Sequence, residues 1–331
     1  MSDTAFYDNA PLSATAAITP VPLALSRTDK AAFAQSLGAS FERYGFAILT
    51  GLFDSTGAGL DQVLVEKAYA QARAFFDLPT DTKLTYHEAG HGGARGYTPF
   101  GIETAKGYKV HDLKEFWHMG RDLPEGHPYR DHMRDNLWPA ETPDFKPALQ
   151  ALYAALDGLG RRVLEAIALY LGLPPQFFDD KVALGNSVLR LLHYPPVSEA
   201  GDSVRAGAHG DINAITLLMG AEEPGLQLLD RDGTWLPVTP PQGAIVINIG
   251  DMLSRLTNHV LPSTIHRVVN PAEGRQGFSR YSMPFFLHFE SPYVIETLEN
   301  CITDDRPDLY AGQSITAYDF LMQRLREIKL A

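Results

Sequence analysis

Cysteine is nearly absent: Cys301 is the one cysteine in 331 residues. No disulfide can form within the chain, and zinc sites built on several thiolates are excluded. Positive charge is also short, with 28 Lys and Arg against 40 Asp and Glu and a net charge of −12. A surface of that sign repels polyanions, so neither nucleic acid nor an anionic membrane is an expected partner. No uninterrupted apolar run reaches the ~18 residues of a membrane-spanning helix. The opening Met1-Ser2-Asp3-Thr4 has neither the basic nor the apolar region of a secretory signal. Scarce cysteine and no such signal set the expectation of a cytoplasmic protein. Internal repeats and low-complexity segments are lacking too.

The remaining composition, 45% hydrophobic and 21% charged, is that of a globular chain long enough for one large domain or two modest ones. A short strand is expected over 21–25 and an amphipathic helix over 29–43, where Phe33, Leu37 and Phe41 recur every four residues. Gly45 stops that helix before a buried strand over 44–49. A second helix is expected over 60–77. The Gly-rich run Gly90–Tyr97 lacks the spacing of a phosphate loop and reads as a loop. A strand over 112–120 and a charged, Pro-rich connection over 121–146 follow. Leu149, Leu152, Leu156, Leu159, Val163, Ile167 and Leu171 then mark one face of a long helix over 147–172. Beyond Asn186, short strand-like runs alternate with Gly, Pro and Asp turns: 189–194, 215–219, 226–229, 244–249, 265–269 and 280–288. That texture predicts a sandwich or jelly roll.

Two His-x-acid triplets occur, His209-Gly210-Asp211 and His288-Phe289-Glu290, where chance supplies about one among 11 His and 40 acidic residues. Residues i and i+2 of a strand share a face, so either triplet could offer two metal ligands. No histidine follows His288, which reads as a core or site-flanking residue. His209 and Asp211 have a downstream partner in His266. Two imidazoles and a carboxylate suit iron(II) and leave coordination positions open for small molecules. Catalytic zinc accepts the same ligands, so the set alone leaves both metals standing.

Fourteen residues past His266 comes Arg280-Tyr281-Ser282. Arginine is permanently charged, and its planar fork grips a carboxylate through two hydrogen bonds. A serine on the same strand face can add a third. Both side chains are expected to point inward with His266, as neighbours on adjacent strands.

These motifs resemble those of the iron(II)- and 2-oxoglutarate-dependent dioxygenases of the isopenicillin N synthase-like family. Further matches are Glu42-Arg43-Tyr44-Gly45-Phe46, Phe75-Phe76-Asp77-Leu78-Pro79, Arg95-Gly96-Tyr97, Asp112-Leu113-Lys114-Glu115, the run Leu189–Pro196 and the run Val246–Asp251. Together they cover roughly residues 20–325. The resemblance implies a mainly β fold with flanking helices, in which an α/β N-terminal region packs on a double-stranded β-helix (jelly-roll) core. The implied divisions are a lead-in over 1–19, an N-terminal dioxygenase region over 20–135, a spine helix over 136–182, the catalytic core over 183–290 and a C-terminal segment over 291–331. The implied cofactors are Fe(II), 2-oxoglutarate as co-substrate, and O2. The implied reaction decarboxylates 2-oxoglutarate to succinate and oxidises a C–H bond of a small-molecule substrate, by hydroxylation in the first instance.

By position, His209, Asp211 and His266 would hold the iron, while Arg280, Ser282 and Tyr194 would hold the far carboxylate of 2-oxoglutarate. Phe286, Tyr97 and Phe100 are candidates for the substrate wall, with Arg95, Glu103 and Lys106 as polar contacts. The chain departs from the family at Leu192-His193, where Asn-Tyr is common, so one polar contact to 2-oxoglutarate is missing or moved. The hairpin after His266 is also longer than in many plant members. Asp211 keeps the carboxylate that halogenases give up for chloride. Two other readings stand: an isopenicillin N synthase-type oxidase that uses no keto acid, and a non-catalytic binding protein on the same fold.

Overall fold

In the computed structural model the described residues are 10–13, 18–53, 60–88, 94–102, 114–196, 205–220, 225–270 and 278–327. Two facing sheets organise them. The larger has eight strands: β1 (Val21–Pro22), β2 (Phe46–Thr50), β3 (Gly96–Thr98), β4 (Glu115–Gly120), β5 (Val188–Tyr194), β7 (Ile215–Met219), β10 (Ile245–Ile249) and β12 (Arg280–Leu287). Their spatial order is β1-β2-β10-β7-β12-β5-β4-β3. The smaller sheet is built from β6 (Ala206–His209), β8 (Leu226–Leu229), β9 (Trp235–Pro237) and β11 (His266–Val268), in the order β6-β11-β8-β9. This is the expected jelly roll. Its N-terminal strands do more than pack on the core: β1 and β2 extend one edge of the large sheet, and β3 and β4 extend the other.

The period of two along each strand sends alternate residues to opposite faces. On the outer face of the large sheet, Leu217, Phe285, Leu191 and Trp117 join a core closed by helices α1 (Lys30–Tyr44), α2 (Gln62–Phe76) and α3 (Phe145–Tyr170). The long leucine-striped helix is thus two residues earlier at each end than the 147–172 expected. Its Gly160 lets β12 approach closely, since a Cβ there would stand 2.5 Å from Leu287 Cδ1. On the inner face, Phe46, Ile48 and Val246 meet Leu226, Leu228, Leu236 and Val268 of the small sheet. The inner face of β4 and β5 carries Phe116, Leu192 and Tyr194.

Gly45 ends α1 as expected: it has φ +67°, and the space for a Cβ is taken by Thr264 and the Pro262 carbonyl. The strand expected over 21–25 is only Val21–Pro22, because Leu25 already starts a short helix. A further short helix, α4 (Asp251–Leu256), follows β10 and caps the site described next. Trp235–Pro237 and the C-terminal helix α5 (Ala317–Glu327) carry no signal noted in the sequence.

Candidate metal centre and cosubstrate site

His209 is the last residue of β6, and His266 is the first of β11, its antiparallel partner. The two imidazoles lie side by side, with ring centroids 4.4 Å apart. Asp211 does not share a strand with His209, contrary to the i, i+2 expectation: β6 ends at His209, and Asp211 sits in the turn beyond. Its carbonyl accepts from the Asp251 N–H at 2.7 Å, which ties the turn to the start of α4. One ligand atom from each of His209, Asp211 and His266 falls within 4.8 Å of the others. Among the described residues this is the one such group of His, Cys, Asp or Glu.

Each ligand is aimed by a neighbour. The Nδ1–H of His209 donates to the Gly207 carbonyl at 2.7 Å, and that of His266 to the Thr264 carbonyl at 3.2 Å. A neutral imidazole has one donor and one acceptor nitrogen, so both present Nε2 as the free lone pair. On Asp211, Oδ2 accepts from the Thr216 hydroxyl at 2.5 Å and from Asn248 Nδ2 at 2.7 Å. That leaves Oδ1, 4.0 Å from His266 Nε2, as the oxygen able to ligate a metal. Burial pushes the Asp211 carboxyl up, but the two histidines and the two hydrogen bonds outweigh it and hold it below the usual range. Burial, then the His209 ring, lower His266 to about 4. The groups are therefore a carboxylate and a neutral imidazole at neutral pH, as metal ligation requires. This donor set, convergent and oriented, fits iron(II) with three protein ligands and an open side.

Arg280 and Ser282 are 2% and 1% exposed and face inward. They do not lie next to His266 in one sheet, contrary to the expectation of adjacent strands: β12 belongs to the large sheet and β11 to the small one. The inward direction comes instead from the facing of the two sheets. Arg280 pairs with Tyr194 across β12 and β5, and its guanidinium lies 5.3 Å from the Tyr194 ring. Ser282 pairs with Leu192. Arg205, itself 1% exposed, approaches the same tyrosine ring at 5.7 Å.

The substrate-wall candidates separate. Phe286 is half-buried on the inner face, paired with Thr216 on one side and Val188 on the other. Tyr97 is on the outer face, 1% exposed, packed on Phe75 and donating its hydroxyl to Glu115 at 2.5 Å. Phe100 is 44% exposed on a turn. Arg95 is buried over Gly120 and donates to the Arg134 and Ala94 carbonyls. Glu103 and Lys106 lie outside the described residues. His288 is buried near Asp211, and its burial lowers it to about 4.

Four side chains at the site go beyond the sequence expectations. Arg190 lies 4.3 Å from the Phe116 ring and 5.4 Å from the Phe286 ring, and its Nε donates to His118 Nε2 at 2.5 Å. Arg190 and His118 are paired on β5 and β4. The alternation Arg190, Leu192, Tyr194 puts Arg190 on the inner face once Tyr194 is placed there. Thr216 and Asn248, which hold Asp211, offer no such signal.

Comparison with known proteins agrees with this geometry. Residues 18–141 match the family model "non-haem dioxygenase in morphine synthesis N-terminal", and residues 185–289 match "2OG-Fe(II) oxygenase superfamily". The 2-oxoglutarate-Fe(II) type oxidoreductase hxnY of Emericella nidulans is 36% identical over 262 residues, 76% of this chain and 74% of its own. Among solved structures, a Caulobacter crescentus protein provisionally assigned to the 2OG-Fe(II) oxygenase family is 61% identical, with TM-score 0.88 over 95% of this chain and 100% of its own. A full-length Neurospora crassa protein, solved in complex with alpha-KG and thymine, is 27% identical, with TM-score 0.81 over 96% of this chain and 99% of its own. The chain belongs to the 2OG-Fe(II) oxygenase superfamily. It is an Fe(II)- and 2-oxoglutarate-dependent oxygenase with a double-stranded β-helix core.

Proposed function

We propose that His209, Asp211 and His266 hold the iron, that Arg280, Ser282 and Tyr194 hold the far carboxylate of 2-oxoglutarate, and that the substrate is a small molecule. The observation that carries this reading is the convergence of three ligand atoms within 4.8 Å on one side of the space between the sheets, while the other side carries a buried guanidinium. A guanidinium fork at this depth suits two hydrogen bonds to one carboxylate of a dianionic keto acid. With O2, the bound iron supplies the oxidising power that couples decarboxylation of 2-oxoglutarate to oxidation of a substrate C–H bond.

The protein's own part is orientation. Gly207 and Thr264 fix which nitrogen each histidine offers, and Thr216 with Asn248 fixes which oxygen Asp211 offers. Further along β12, β5 and β4 from Arg280, the inner wall is Phe116, Phe286, Arg190 and His118. Arg190 stands two strands across from Thr216 and two residues along, about 12 Å at the usual strand spacing and rise. Two phenyl rings with a guanidinium between them suit a small planar molecule bearing an anionic or carbonyl oxygen. Thymine, bound by the Neurospora relative, is a molecule of that size and polarity. The relatives' names favour 2-oxoglutarate use over an oxidase without keto acid.

The test is anaerobic mixing of the protein with iron(II) and 2-oxoglutarate. A visible charge-transfer band is expected, followed on aeration by succinate formation. Absence of both would end the reading. A library of small metabolites, with products read by mass spectrometry, then identifies the substrate.

A further inference from the structure

Behind the cosubstrate anchor, on the helix-facing side of the large sheet, lies a chain of buried polar groups that the chemistry above does not use. Glu115 on β4 is 1% exposed. Its carboxylate accepts from Lys83 Nζ at 2.8 Å, from the Tyr97 hydroxyl at 2.5 Å and from His193 Nδ1 at 2.7 Å. His193 Nε2 lies 3.0 Å from Ser279 Oγ. Facing a carboxylate, His193 Nδ1 is the donor of that pair, and its Nε2 lies within hydrogen-bond distance of the Ser279 hydroxyl. Tyr281 stacks on one face of the imidazole at 4.7 Å and 14°, and Phe76 leans on it, tilted by 32°, at 5.3 Å.

The placement matters more than the bonds. His193 is the neighbour of Tyr194, and Ser279 is the neighbour of Arg280. Tyr194 and Arg280 are themselves register partners. Arg280 is also the first residue of β12, where the ladder begins and strand ends are least constrained. The contact between Ser279 and His193 therefore fastens that end to the neighbouring strand β5. Glu115 extends the fastening one strand further, since it pairs with His193 across β4 and β5.

We propose that His193 and Ser279, oriented by Glu115, are positioning residues for 2-oxoglutarate: they hold the strand end that presents Arg280 opposite Tyr194. This rests on the reading that Arg280 anchors the keto acid. A loosened strand end lets the guanidinium leave its bidentate geometry, which weakens the anion's binding without touching the iron ligands. The pair thus supplies from behind the sheet some of the restraint lost where Leu192 stands in place of a polar residue.

Ser279→Ala removes the hydroxyl that contacts both His193 and Tyr281 and leaves both rings in place. His193→Phe keeps the aromatic stack and removes both hydrogen bonds. Tyr153→Phe is the control, because it deletes a buried hydroxyl that donates to the Ser187 carbonyl at 3.0 Å, before the far end of β5. The measurement is anaerobic titration of each iron(II)-loaded protein with 2-oxoglutarate, beside iron affinity and thermal unfolding. Ser279→Ala should raise the 2-oxoglutarate Kd about threefold to tenfold. His193→Phe should raise it more, and Ser279→Thr should restore it. Iron affinity should stay within about twofold in all, and turnover at saturating 2-oxoglutarate should be unchanged in Ser279→Ala. Tyr153→Phe should lower the melting temperature alone. A 2-oxoglutarate Kd unchanged in Ser279→Ala overturns the proposal even where His193→Phe fails to fold. So does a loss that follows melting temperature in all variants. If the unaltered protein binds no 2-oxoglutarate, the fault lies with the reading of Arg280 instead.

Discussion

The Thr216 hydroxyl donates to Asp211 Oδ2 at 2.5 Å, and so decides which carboxylate oxygen is left for the metal. Thr216 is on β7 of the large sheet, while Asp211 follows β6 of the small one. One hydrogen bond therefore aligns the metal ligand of one layer with the wall of the other.

Thr216→Val keeps the branched shape and removes that donor. Iron(II) affinity should fall about tenfold to a hundredfold, the usual cost of losing a partner behind a metal ligand. Competition against a chelator measures it. Affinity equal to that of the unaltered protein would show that Asn248 alone suffices.

Arg280→Gln removes the buried charge that we propose faces the keto acid. At about 1.4 kcal/mol per tenfold, a loss of ~3–5 kcal/mol weakens 2-oxoglutarate by two to three decades or more. Iron binding should be untouched. The Kd from the charge-transfer band reports the first, and chelator competition the second.

Arg190→Met keeps the stem between Phe116 and Phe286 and removes the charge. Once a substrate is known, its KM should rise about tenfold to a hundredfold, the range for a hydrogen bond to a charged group. Substrate-independent succinate formation should persist. Equal loss of both would place Arg190 at the cosubstrate instead.

Buried histidines set an acid limit for the metal-free protein. His266 and His288 are both lowered to about 4 from an ordinary value near 6.5. Below 6.5 the unfolded chain binds protons that the folded chain refuses, so stability is full above about 6.5 and declines down to about 4. Each histidine accounts for a loss on the order of 3 kcal/mol across that window. Denaturant titrations at a series of pH values should show the fall, and His288→Gln should make it shallower. A flat profile between 6.5 and 4 would contradict the burial of these rings. For the metal, the same shift moves proton competition at His266 well below 6.5, lower than an unperturbed imidazole would suggest.

Local patterns gave away much of the fold. The leucine spacing of Phe145–Tyr170 is a helix in any context, because a 3.6-residue period leaves one apolar face to bury. Ile215–Met219 and Leu226–Leu229 stand where the apolar runs between turns put them. Loop-borne and cross-sheet features behaved otherwise. Asp211 turned out to follow its strand, and β12 to face β11 rather than adjoin it. Tyr97 lies within β3 and Phe100 just past its end, and that boundary reverses their surroundings, one into the helix-side core and one into solvent.

From the order of residues alone came the donor types, the arginine fork and the repeat of apolar positions, since these depend on chemistry and spacing within a few residues. The layered architecture followed because alternation and punctuation are local. Tertiary structure alone decided which nitrogen and which oxygen the candidate ligands leave open, that the Arg190 guanidinium lies against two phenyl rings, and that hydrogen bonds link a glutamate on β4 through His193 to a serine beside β12. Those depend on strands far apart in sequence lying a few ångströms apart in space, a distance no single segment encodes.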